Sequence, residues 1–290
     1  MMRLLTSFLF GAFGMFLSSQ ADAAMPKSEV LLADLETPYG MKVTRITDNK
    51  SYNNQPFLID EGLYYTHEML GDDGQSQTDL YFYNFTTQQA TNLTHSAVSE
   101  YSPTLMPNKQ ALSAIVVEED GKQKLWQYPL QGEQSAARIF EWIEPVGYHA
   151  WGADNDLVMF ILGEPHTLQY TTVAAAKPKV VANAIGRTLL FDAQTNSYLF
   201  SYHKDKQHWL ARFTPQFEQV TDILRLPAQL QDFTLLDEQT VIYAINNRIY
   251  KRDLMNPEPV SQWLDLTSYC ETKITRLSYH NKKLAFVCDK

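Results

Sequence analysis

Apolar and polar positions along this chain alternate in short runs, and the runs come in sets of four. In residues 52–95 they are QPFLI, LYYTHEML, DLYFYNF and QATNLTHS, and the next set is SPTLM, LSAIVVEE, KLWQYPL and ARIFEWI. A third set reads GYHAW, DLVMFILGE, TLQYTTV and PKVVANA. A fourth reads TLLFDA, SYLFSYH, HWLARFT and EQVTDIL, and a fifth DFTLLD, TVIYAIN, RIYKRDL and EPVSQWL. The second run of each set is the most continuously apolar, as a strand covered on both faces requires. The third alternates, as in DLYFYNF, so that successive side chains face opposite sides of a sheet. Helical periodicity is hard to find. The pattern predicts an all-β chain built from four-stranded units of roughly 40–50 residues, a period associated with propellers.

The two ends complete each other. Residues 274–288, ITRLSYHNKKLAFVC, supply a first and a second strand, whereas residues 29–47, EVLLADLETPYGMKVTRIT, supply a third and a fourth. Joined, they form a sixth unit, which closes a ring and removes the open edges of a sheet. The expectation is a single six-bladed β-propeller over residues 24–290, its last blade finished by the N-terminal strands. A β-sandwich or a linear solenoid is the alternative, and neither explains complementary half-units at the ends.

The IDEG and MPNKQ turns after first strands, with the phrases YNNQPF, SEYSPTLMPN, GYHAWGADNDLVMFILGEPHTL and IGR, resemble the TolB-like six-bladed propellers, and within them an exported branch. The resemblance spans the chain beyond its first residues and is sharpest from Tyr52 to Arg187. It implies the propeller fold. TolB carries an additional α/β domain ahead of its propeller, and here strands begin close to the start, so the resemblance does not carry over a role in the Tol envelope system. Fold likeness in any case does not fix function.

The opening residues, MMRLLTSFLFGAFGMFLSSQADAAMP, place Arg3 before an apolar stretch and then the small-residue signal Ala21-Asp22-Ala23. That order predicts a signal peptide over residues 1–23, cleaved between Ala23 and Ala24. A membrane anchor would want about 20 apolar residues. The mature protein is expected to be soluble and periplasmic or secreted, with no stable membrane insertion. Its two cysteines, Cys270 and Cys288, suit one disulfide in an exported chain, with buried free thiols as the alternative. Lys and Arg number 24 against 33 Asp and Glu, a formal charge of -9, which lacks the basic stripe that nucleic acid requires.

Propeller geometry gathers the entries to the first strands and the second-to-third hairpins at one mouth of the central channel. Candidate ligand-binding residues there are Tyr52, Asn53, Asn54 and Gln55, Glu100 and Tyr101, Tyr148 and His149, Glu164 and His166, and Arg187. Trp151 is expected to pack between blades. Arg187 could pair with a ligand carboxylate, or with Glu164 or Glu100. His149, His166 and Glu164, with Glu100, could instead hold a divalent metal, since imidazole with carboxylate suits Zn, Mn or Fe. His67-Glu68 does not continue into HExxH, no GxSxG elbow exists, and neither GxGxxG nor a Walker pattern is present.

These residue types favour a monomeric binding or scaffold propeller for a peptide, a protein, a saccharide or another polar small molecule, with no cofactor. A metal-assisted hydrolase or lyase in the same mouth is one alternative. A partner protein held on the outer blade faces is another.

Overall fold

A computed structural model describes residues 25–290 apart from 39, 49, 71–73, 133, 176, 229 and 231. The expected signal peptide lies outside the described residues. The chain begins with β1 (Ser28–Asp34) and β2 (Lys42–Arg45). Blade one follows as β3 (Asn53–Leu58), β4 (Gly62–Leu70), β5 (Ser76–Asn84) and β6 (Gln89–Asn92). Blade two is β7 (Ser99–Leu105), β8 (Ala111–Val117), β9 (Gln123–Pro129) and a two-residue β10 (Ala137–Arg138). Blade three comprises β11 (Val146–Trp151), β12 (Asp156–Ile161), β13 (Thr167–Thr172) and β14 (Lys179–Asn183). Blade four holds β15 (Ile185–Asp192), β16 (Ser197–Lys204), β17 (Gln207–Thr214) and β18 (Gln219–Arg225). Blade five has β19 (Phe233–Leu235), β20 (Thr240–Ile245), β21 (Arg248–Asp253) and β22 (Ser261–Asp265). The last strands are β23 (Ile274–His280) and β24 (Lys283–Asp289).

Each of the six sheets is four-stranded and antiparallel, and the sixth runs β2-β1-β24-β23. The chain is therefore an all-β, six-bladed propeller whose N-terminal strands complete the C-terminal blade. Among the described residues the helical segment is a short 3-10 turn, Pro215–Phe217. Closure rests on a full ladder from Ser28 opposite Asp289 to Asp34 opposite Lys283, ending in an ion pair of 2.8 Å between Lys283 Nζ and Asp34 Oδ2.

The apolar second strands do what their sequences require. β8, β12 and β24 are buried along nearly their whole length because neighbouring blades cover both faces. Apolar clusters fill the seams between blades two and three, three and four, four and five, five and six, and six and one. Trp151 lies in the first of these, its indole N–H donating to Ser113 Oγ at 2.7 Å. The seam between blades one and two is built differently. It buries Thr66, Thr78, Asp79 and Glu100, with Thr78 Oγ1 donating to the Glu100 carbonyl at 2.8 Å and Ser102 N to Thr66 Oγ1 at 3.2 Å.

Cys270, in the connection into blade six, is bonded to Cys288 on β24, and both are fully buried. The bond ties the last inter-blade connection to the closing sheet, and the cysteines stand 18 residues apart. Replacing both by alanine is expected to cost about 3 kcal/mol, the loop-closure entropy returned to the unfolded chain. Urea unfolding of the variant beside the parent measures it. An unchanged midpoint would mean that β1 alone carries closure.

Candidate functional site

Inner strands reach the channel through irregular entries. β3, β7 and β23 each carry a register shift, between Asn54 and Phe57, Tyr101 and Thr104, and Thr275 and Leu277. The residue displaced in each, Gln55, Ser102 or Arg276, has a φ of 50 to 58°, the left-handed region that costs a non-glycine residue about 1 kcal/mol. Such bulges re-aim side chains. Here they turn equivalent positions of blades one, two and six toward the channel. β11 shifts register at Gly147 instead, where a Cβ would lie 2.9 Å from the Phe160 ring, so only glycine lets that ring stand close behind Tyr148.

Two cavities meet on the axis. The inner one, about 460 Å³, is the channel between the first strands, and the outer one, about 770 Å³, is a mouth reached by Tyr52, Asn54 and Tyr101. Tyr148, Arg187, Asp232 and Arg276 line both, and so form the throat between them. Asp232 joins the throat. Arg187 donates from Nε to Asp232 Oδ1 at 3.1 Å and from a terminal nitrogen to Oδ2, while Arg276 donates to Oδ1 at 3.1 Å. Thr188 Oγ1 adds a bond of 3.3 Å to the same Oδ1. Arg276 also donates to Tyr148 Oη at 2.7 Å and to Asn54 Oδ1 at 3.3 Å, with its guanidinium carbon 4.9 Å from the centre of the Tyr148 ring.

Burial pushes the Asp232 carboxyl up, but the Arg276 and Arg187 charges outweigh it and leave the group below the usual carboxylate range. Burial is the largest influence on Arg276 and works against its charge, and the facing Asp232 carboxylate, together with Tyr148 and Tyr52, more than restores it. Two guanidinium groups against one carboxylate leave the throat with one surplus positive charge. Lys273 and Asp289, also at the mouth, pair with each other at 3.2 Å and add none. Tyr52 Oη accepts from Gln55 Nε2 at 3.0 Å and lies 6.4 Å, ring to ring, from Tyr101. Burial pushes the Tyr52 phenol up, which keeps its proton in place.

The structure thus brings Tyr52, Asn54, Gln55, Tyr101, Tyr148 and Arg187 around mouth and channel. Other expected mouth residues are placed elsewhere, each for a visible reason. Asn53 is fully buried and stitches blade one to the closing strand, its amide donating to the carbonyls of Ser28, Asp48 and Ser51. Glu100 is buried in the seam between blades one and two, accepting from Tyr128 at 3.1 Å, Thr94 at 3.2 Å and Ser96. His149 touches the channel wall but is buried against Ser113, 2.6 Å from Nε2. Ser113 Oγ donates to the Thr104 carbonyl and accepts from Trp151, so Nε2 supplies the proton and the Nδ1 lone pair is left without a partner. Burial pulls this imidazole down to about 3, so it is neutral.

Glu164 is exposed on the hairpin between β12 and β13, and His166 sits one layer behind the mouth, its ring 4.7 Å from Phe160, which in turn meets Tyr148 edge-on at 5.6 Å. Arg187 pairs with Asp232 and with neither Glu164 nor Glu100. The donor set expected of His149, His166 and Glu164 is not assembled, and among the described residues no three His, Cys, Asp or Glu side chains converge so as to hold a metal ion.

Arg276 and Asp232 are absent from the sequence-derived set. A signal for Arg276 exists: laying ITRLSYH over NNQPFL puts it on the place of Gln55. Asp232 opens the fifth unit, where no motif marks it.

A polar, arginine-floored throat on the axis of a six-bladed ring defines a propeller with a ligand-sized mouth. Comparison with solved structures gives that ring a fold name, TolB-like. A putative TolB from Agrobacterium tumefaciens superposes with a TM-score of 0.68 at 11% identity, over 92% of this chain and 99% of that one. A nidogen/laminin complex gives 0.62 at 11% identity, over 87% and 97%. An oligogalacturonate lyase from Vibrio parahaemolyticus gives 0.53 at 10% identity, over 91% and 98%. No family model and no curated protein matches the chain. Among the described residues no helix is long and apolar enough to cross a membrane.

Proposed function

We propose that this chain is an exported, periplasmic or secreted, binding propeller whose mouth holds a peptide, a saccharide or another polar ligand. One observation carries the reading: a cavity of about 770 Å³ with a charged floor made by Arg187, Asp232 and Arg276 and aromatic walls made by Tyr52, Tyr101 and Tyr148. That volume and that mixture of stacking surface with a few fixed polar groups are those of a small-ligand site. On the blade faces the most exposed large apolar side chains among the described residues, Leu70, Trp142, Phe217 and Met255, belong to different parts of the ring.

The test is the thermal midpoint of residues 24–290 with a panel of short peptides and oligosaccharides, because whatever binds the folded state raises it by mass action. A saturable rise that Tyr101→Ala abolishes is expected. A rise untouched by Tyr101→Ala, or a partner that crosslinks only to outer strands, would move function to the blade faces.

A further inference from the structure

Resting on the reading of the mouth as a binding site, we infer that it receives the free C-terminal carboxylate of a peptide, held on Arg276 between the hydroxyls of Tyr52 and Tyr148. The hydrogen bonds already made in the throat decide which kind of group is missing. Tyr148 Oη accepts from Arg276 at 2.7 Å, and Tyr52 Oη accepts from Gln55 Nε2 at 3.0 Å. With an acceptor site filled on each oxygen, each phenol has its own proton to give. Arg276 uses Nε toward Asn54, one N–H toward Asp232 and one toward Tyr148. A guanidinium has five N–H groups, so two remain, one on each terminal nitrogen, and two suit the two oxygens of a carboxylate. Around Arg276 the spare groups are donors, and their complement is an acceptor, while the buried Gln55 Oε1 beside Tyr52 is left as an unpartnered acceptor on the channel side.

Charge narrows the class further. Asp232 cancels one of the two guanidinium groups, and Lys273 with Asp289 cancels itself, so the mouth calls for a single negative charge. A carboxylate supplies one, whereas a neutral saccharide leaves the cation uncompensated. Geometry favours a chain end. Tyr148, Arg187, Asp232 and Arg276 stand where the mouth narrows into the channel, so a ligand entering the mouth from outside meets its charged partner at the far end, end-on. On the side of blades five and six, Leu230, Ala244, Ile245 and Ile274 offer apolar surface to the side chain of a hydrophobic last residue, beside the polar Asn246, Lys273, Thr275 and Asp289.

Calorimetric titration of residues 24–290 with N-acetyl-Ala-Ala-Leu as the free acid, the same peptide as its C-terminal amide, and trigalacturonate separates the possibilities. The acid is expected to bind at least about tenfold more tightly than the amide, the worth of one charge-assisted contact. Tyr52→Phe and Tyr148→Phe, which keep the rings in place, should each shrink that preference, and Arg276→Gln should remove it. Equal binding of acid and amide, both lost in Tyr101→Ala, would overturn the carboxylate inference and leave the mouth as a binding site. Trigalacturonate bound through Arg276, with the peptide acid ignored, would overturn the peptide. An acid preference untouched in all three throat variants would place the anion elsewhere. No binding of any probe would overturn the mouth itself.

Discussion

Asparagine in place of Asp232 is expected to lower the unfolding free energy of the propeller by about 3–5 kcal/mol, the usual cost of removing one partner from a buried ionic group. The side chains of Asp232 and Arg276 are 11% and 12% exposed, and the single carboxylate answers guanidinium groups from blades four and six. Without it, two partly or largely buried guanidinium groups face each other with no carboxylate between them. The contribution has a definite sign with pH. Because the folded carboxyl sits below its unfolded value, its stabilisation is present above the unfolded pKa and is lost as pH falls through the folded one. The Asp232→Asn variant and the parent should therefore differ most near neutrality and converge in acid, which urea unfolding at both pH values reads directly. Arg187→Met added to Asp232→Asn should recover part of the loss, since it removes one of the two opposed charges. The peptide acid should also stabilise Asp232→Asn, since it supplies the missing anion to the folded state alone. A cost below about 1 kcal/mol would mean that the throat is wet and the pair behaves as a surface bridge.

The blades are legible in the sequence because strand burial writes itself into the chain. LSAIVVEE and DLVMFILG read as doubly covered second strands without any knowledge of what covers them, and β8 and β12 are those strands. The complementary ends are legible for the same reason. The site is less so, because side-chain direction at the mouth is set by bulges, and a register shift flips which face a residue presents. Asn53 and Asn54 read alike, yet one stitches the closing blade and the other meets Arg276. Gln55 and Arg276 occupy equivalent left-handed positions, a likeness that only alignment of the half-unit reveals. The Arg187–Asp232 pair spans 45 residues and two blades, and no local pattern encodes such a contact. Glu100 and His149 escape a sequence reading because a polar residue near a loop looks the same whether it faces a ligand or fills a seam.

Glu100 gives the second large effect. It is one of two buried carboxyls, with Asp79, in the polar seam between blades one and two, and desolvation pushes it up to about 7, with hydrogen bonds from Ser96, Tyr128 and Thr94 pulling down and the nearby Asp79 charge pushing up. Folding therefore favours its protonated form. Its contribution is fully present at low pH and is withdrawn as pH rises from the unfolded value through about 7, a loss on the order of 3 kcal/mol. Histidines act in the opposite direction. Burial holds the imidazoles of His67, His149 and His208 below their ordinary value, so each costs stability as pH falls below 6.5. The parent curve mixes these slopes, and the difference between parent and Glu100→Gln isolates one of them. Glutamine keeps the shape and an acceptor for Ser96 and Tyr128 without the charge, at the constant cost of turning an amide N–H toward Thr94, so the variant should gain on the parent steadily from about pH 4.5 to pH 8, by on the order of 3 kcal/mol. A flat difference would show that the seam admits water to an ionised Glu100. A slope of the expected sign, together with faster amide exchange in β5 and β7 of the parent at high pH, would identify this seam as the place where the ring first loosens.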